Sequence, residues 1–196
     1  MHKRDFLACS TLLGVLPAAG SAQAAKPVAA GPVLLTISGA AVTKTNRGAM
    51  DPALDQMMGK HGVQFDKALA LDAAALQRMA AVQIKPTLEY DAKVHTLSGP
   101  LLSTVLEAAG VGADSKVLVG LRAVDGYNVA ISLADIRRYR MLIATHIDGQ
   151  AMPLGGLGPQ WAVYDADRIA EFKDKPLAQR FALCPWGVYH IDVKPA

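Results

Sequence analysis

Three groups of side chains have the types and spacing to do chemistry. Met50, Met57, Met58 and His61 lie close together in a polar segment. Thioether and imidazole donors suit copper(I), while methionines in such a segment also fill gaps or cover a loose patch. His95, His146 and His190 sit in three separate strand-like segments. They either converge on one pocket or serve singly as hydrogen-bonded structural residues. The third group is the glycine-rich run "THIDGQAMPLGGLGPQWAVYD", residues 145–165. A phosphate cradle needs glycines that lead from a strand into a helix N-terminus, usually with a lysine for the charge. This run leads instead into the strand-like "QWAVYD", and no Lys or Arg lies between Gln150 and Asp165. A wide turn with positive φ at Gly155, Gly156 or Gly158 is therefore expected.

Two smaller features carry charge or sulfur. "IRRYR" (136–140) is a compact basic patch, either a solvated helix face or a site for an anion or acidic partner. Cys184 is the one thiol left if residues 1–24 are removed, so no internal disulfide forms; it is expected as a small buried hydrophobe in the last strand. No G-x-S-x-G nucleophile elbow is present, which argues against hydrolase chemistry.

"VLLTISG" (33–39) is a strand ended by glycine, and residues 44–62 are loop. "LDAAALQRMAAV" is a helix capped by Asp72, with Leu76, Met79 and Ala80 on one face. "SGPLLSTVLEAAG" is the clearest helix. Pro100 suits its first position, Leu101, Leu102, Val105, Leu106 and Ala109 form its apolar stripe, and Gly110 is its left-handed cap. Asp125-Gly126 joins "KVLVGLRAV" to "YNVAI" as a hairpin. "SLADIRRYR" is a short helix capped by Ser132, with Asp135 at the third position. "MLIATHI" is a strand followed by a tight turn at Asp148-Gly149, and "QWAVYD" is another strand. "WGVYHIDV" alternates, with Trp186, Val188, His190 and Asp192 on one face and Tyr189, Ile191 and Val193 on the other. Hairpins imply mostly antiparallel pairing.

The totals set the frame. The 196 residues are enough for one domain with a proper core, and 52% apolar content argues against disorder. Net charge is +3 with scattered basic residues, so no nucleic-acid stripe is expected. Residues 1–24 read as an export signal: His2, Lys3 and Arg4, then an apolar run, then Ala22-Gln23-Ala24 as the cleavage site. "KRDFLA" is similar to the twin-arginine pattern with Lys3 in place of the first arginine; an ordinary secretory signal is the preferred reading. Residues 25–32 are a flexible lead-in and 33–196 the domain. The protein is expected to be periplasmic or secreted, with no stable membrane span after the signal is removed.

The order of "LTISGA", "TLSGPLLSTVLEAAGV", "DGYNVAISLAD", "MLIATHIDGQAMPLGGLGPQWAVYD" and "CPWGVYHIDV" resembles the oxidoreductase molybdopterin-binding domain, the sulfite-oxidase fold, over about residues 33–193. The resemblance implies an α+β fold: a single β-rich mixed domain with a few short helices. It also implies molybdopterin as cofactor, and a cofactor cleft bordered by Asp125, Tyr127, His146, Gly158, Pro159 and Trp161. Catalytic members ligate molybdenum through a cysteine ahead of the Gly-Pro-Leu helix, since a soft thiolate suits that metal. Here the matching stretch, "PTLEYDAKVHTLSG", has no cysteine, and Glu89 and Asp91 cannot replace one in kind. Relatives often follow the Gly-Pro step with an arginine, where this chain has Gln160-Trp161. The expectation is thus an exported module of this fold without molybdenum catalysis, binding a small ligand or a periplasmic protein partner. An active molybdopterin oxidoreductase with an unusual ligand set is the alternative, and a Met/His copper protein the second alternative.

Overall fold

Alternating apolar residues favour strands over helices along this chain, and short polar turns commit most of those strands to antiparallel pairing. The computed structural model describes residues 31–196. The export-signal reading of 1–24, and all of the lead-in except Gly31 and Pro32, lie outside those residues. In chain order the first half holds β1 (Val33–Ser38), α1 (Gln56–Lys60), β2 (Ala68–Asp72), α2 (Ala73–Gln77), β3 (Ala81–Ile84), β4 (Leu97–Pro100) and α3 (Leu102–Ala108). There follow β5 (Val117–Ala123), β6 (Asn128–Ser132), α4 (Leu133–Arg138), β7 (Leu142–Ala144), β8 (His146–Ile147), β9 (Gln150–Ala151), β10 (Trp161–Val163) and β11 (Val188–Pro195). The domain is a sheet-rich α+β mixture with few, short helices. Among the described residues no helix is long and apolar enough to cross a membrane.

Five strands form the main sheet in the order β2-β1-β11-β5-β6. Only β1 and β11 run parallel; the other neighbours are antiparallel. Leu35, Ile37, Val119, Leu121, Val129, Ile131, Ile191 and Val193 place one face of this sheet in the main core, with α3, α4, β7 and β10 supplying Leu102, Val105, Leu106, Ile136, Ile143 and Trp161. A four-stranded sheet, β3-β4-β8-β9, and the β7-β10 pair complete the domain.

Local chemistry explains most boundaries. The Ser132 hydroxyl accepts the Asp135 N–H at 3.0 Å, which caps α4. Asp72 caps α2 by accepting from the Ala75 N–H at 2.7 Å. Asp148 and Gly149 both take positive φ, 49° and 79°, and so close the two-residue β8–β9 hairpin.

Six expectations are corrected. The stretch 44–62, read as loop, contains α1 at Gln56–Lys60. Pro100 ends β4, paired with Ala81, rather than opening the helix; Leu101 is the N-cap residue of α3. The helix over "LDAAALQRMAAV" shrinks to the five residues of α2, because its last residues pair with β4 as β3. "MLIATHI" is split between β7 and β8, which belong to different sheets. The register of β11 against β5 shifts between Val188 and His190. That bulge breaks the simple alternation: Val188 joins the main core with Ile191 and Val193, while Tyr189 packs with Met58 and Val63 on the side of His190. Cys184 lies in the loop before β11, not in a strand.

Candidate functional site

The hairpin between β5 and β6 carries the first two expected site residues to the edge of a cavity of about 230 Å³. Asp125 Oδ1 accepts the Tyr127 N–H at 2.9 Å, so the turn fixes its own carboxylate. The Tyr127 hydroxyl donates to the Ala182 carbonyl at 2.8 Å, which ties the half-exposed ring to the segment before β11. Glu89, Tyr90, Phe181, Cys184 and Trp186 complete the wall. Trp161 is fully buried behind it, 6.4 Å from the Tyr90 ring and 5.9 Å from Phe181 between centroids. Its Nε1 donates to the Cys184 carbonyl at 2.8 Å. Burial first, and then the nearby Glu89 carboxylate, push the Tyr90 phenol up to about 12. Among the described residues, the cavity therefore presents four aromatic rings (Tyr90, Tyr127, Phe181 and Trp186), two carboxylates and no lysine or arginine.

The remaining expected residues are placed elsewhere. His146, in β8, bonds through Nδ1 to Thr145 Oγ1 at 2.8 Å and opens onto a different cavity beside Leu76, Gly99 and Pro100. Gly158 and Pro159 lie in the loop leading to β10 and line neither cavity. A Cβ on Gly158 would stand 2.3 Å from the Met152 carbonyl oxygen, so packing requires glycine there. In the same loop Gly155 takes φ +94°, as the wide-turn reading requires. Gln160 is fully buried, and its Nε2 donates to the carbonyls of Leu34 at 2.7 Å and Val188 at 2.6 Å. It braces two strands of the main sheet. The three histidines do not converge. His95 is held between Asp148 and Asp91, while His190 is buried on the main sheet.

Met50 and Met58 pack with Val63, Phe65, Val124 and Tyr189, and His61 Nδ1 pairs with the Tyr189 hydroxyl at 2.8 Å. Met57 is exposed. In the basic patch, Arg137 pairs with Glu107, and Arg138 with Asp135 and Glu171, so both face acidic neighbours of the same chain.

Molybdopterin is the group that the sequence resemblance implies, and the residues present do not fit it. An anionic cofactor in the Tyr127 cavity would meet Glu89 and Asp125 with no cationic side chain among the lining residues. The one thiol at hand, Cys184, is buried, and that burial pushes it up to about 12, far from the thiolate a soft metal requires. Comparison with protein-family models found no match to this chain, and comparison with curated proteins found none.

Two aromatic residues that line this cavity, Tyr90 and Trp186, had no motif to announce them as a pair. They are far apart in sequence, and only the loops before β4 and β11 bring them together.

Proposed function

We propose that the protein is an exported ligand-binding module of the sulfite-oxidase type of fold, without molybdenum catalysis, whose Tyr127 cavity takes a small organic cation. One observation carries the reading: four aromatic rings and two carboxylates, and no cationic side chain among the described residues, line a cavity of about 230 Å³. Ring faces attract ammonium groups by about 0.5–2 kcal/mol each, more when the site is dry. Carboxylates at the edge add charge and orientation. A methylated ammonium group satisfies both, being compact, permanently charged and weakly hydrated.

Both tryptophans of the chain, Trp161 and Trp186, lie at this cavity, so their fluorescence reports on it. Titration with tetramethylammonium and choline is expected to change that fluorescence saturably, while sodium at equal ionic strength does not. Tyr127→Ala is expected to weaken binding about tenfold, the loss of one ring contact of about 1.4 kcal/mol. A flat titration refutes the cation reading. Stoichiometric molybdenum with pterin fluorescence, in protein purified from a cofactor-competent host, overturns the reading as a whole.

A further inference from the structure

The core-facing side of the main sheet is filled by large apolar residues, but its other side holds a second cavity of about 470 Å³. Its floor is bare sheet. Gly120 and Ala130 are directly paired across β5 and β6, and no side chain larger than a methyl rises from that pair. Polar groups surround this floor. Arg122 follows on the same face of β5, with Asn128 paired opposite it on β6. His190 and Asp192 come from β11, paired with Arg122 and Gly120 respectively. The segment Gly62–Gln64 forms the opposite wall, held to the sheet by the His61–Tyr189 hydrogen bond and the packing of Met58 and Val63.

Several of these groups have hydrogen-bonding capacity to spare. His190 is only 3% exposed, yet only Nε2 is engaged, with Ser38 Oγ at 2.9 Å; Nδ1 has no partner among the described residues. Asp192 is already neutralised by Lys194 at 2.6 Å. Arg122, half-buried, makes no ion pair among the described residues. A guanidinium without a carboxylate, beside a donor-capable imidazole and a primary amide, is the donor set of an oxyanion site.

We infer that this cavity binds a small organic carboxylate with a short apolar body. Arg122 takes the carboxylate in a two-pronged hydrogen bond, and Asn128 and His190 Nδ1 donate to the same oxygens. Ser38 fixes the imidazole by donating its hydroxyl proton to Nε2, which leaves the ring proton on Nδ1. Gly120, Ala130, Leu118 and Val63 receive the apolar body. Asp192 and Lys194 close one side as a neutral pair. This site is separate from the Tyr127 cavity and stands or falls independently of the cation reading.

The probe is sodium butyrate, followed by calorimetry and by backbone amide shifts in ¹⁵N NMR spectra of the protein. Saturable binding is expected, with the amides of Gly120, Arg122 and Asp192 among those that move. 1-Butanol, which keeps the body and loses the charge, and inorganic phosphate, which keeps charge and loses the body, are expected to bind at least tenfold more weakly. Arg122→Gln is expected to weaken butyrate binding at least tenfold. Gly120→Val is the second variant. A Cβ at this position meets its neighbours at 3.7–3.8 Å, ordinary contact, so the sheet tolerates it while the added methyls occupy the floor. Binding at least tenfold weaker in both variants, with thermal unfolding still cooperative, supports the site. Unsaturable titration, shifts confined to residues around Trp186, unchanged binding in either folded variant, or phosphate binding as tight as butyrate overturns it.

Discussion

At the scale of single residues, buried polar groups brace the fold. The amide of Gln160 joins β1 to β11 by donating to both backbones from a fully buried position. An arginine there would be a desolvated charge with no carboxylate against it. Gln160→Leu removes both hydrogen bonds and leaves their carbonyl acceptors short of a donor. It is expected to destabilise the domain by about 1–3 kcal/mol, read as a lower urea midpoint at unchanged m-value. An unchanged midpoint would remove the bracing role. Cys184 is similar in kind: a buried residue whose backbone carbonyl accepts from Trp161 Nε1.

At the scale of elements, the β8–β9 hairpin is held to the start of β4 by charge. His95 bonds to Asp148 through Nδ1 at 2.6 Å and to Asp91 through Nε2 at 3.0 Å. Those two bonds raise the imidazole above its ordinary 6.5, with Asp148 the larger cause, and the same bonds hold both carboxyls below 3.8. The raised imidazole contributes stability that is full below about pH 6.5 and fades as pH rises through its folded value. The lowered carboxyls contribute above about pH 3.8 and lose it as pH falls through theirs. The clamp is therefore strongest between about pH 4 and 6.5. The difference in melting temperature between wild type and His95→Gln is expected to be largest in that window and to shrink by pH 9. A difference that is flat across pH would show that shape, not charge, holds the hairpin. All three groups lie near the surface, so the effect also falls with added salt.

At the scale of the whole molecule, the main sheet separates two environments. One face meets α3, α4 and the β7–β10 pair as a dry core, and the other meets the segment 45–66 across a polar cavity. That segment has one short helix and a small apolar cluster of its own; its start is bonded to β2 through Asn46 and Arg47, and the His61–Tyr189 bond ties its 56–64 part to β11. Tyr189→Phe keeps the ring and deletes the hydroxyl. It is expected to speed hydrogen exchange of amides in 56–64 several-fold while leaving β5 and β11 protected. Equal acceleration throughout would mean that the segment opens only with the domain.

Much of the architecture was open to reading along the chain because its determinants are local. Ser132 and Asp72 as caps, the Asp125-Gly126 and Asp148-Gly149 turns, and the apolar stripe of α3 each depend on neighbours within a few residues. The places where local reasoning stopped short were those where a distant partner decides. Pro100 became strand because β3 lies beside it, "MLIATHI" divided because two sheets claim its halves, and the bulge in β11 follows from its register against β5. The Tyr127 cavity was partly legible: the sequence resemblance groups Asp125, Tyr127 and Trp161, whereas Tyr90 and Trp186 join them only through loop packing. His146 separated from that group for the same reason. The sheet-face cavity left one trace, the alternation that puts His190 and Asp192 on one face of the last strand. Sequence by itself determined turns, caps and apolar periods, since these are short-range free energies. Tertiary structure alone decided which polar groups share a cavity and which are left without a partner, because that depends on contacts between segments far apart in the chain.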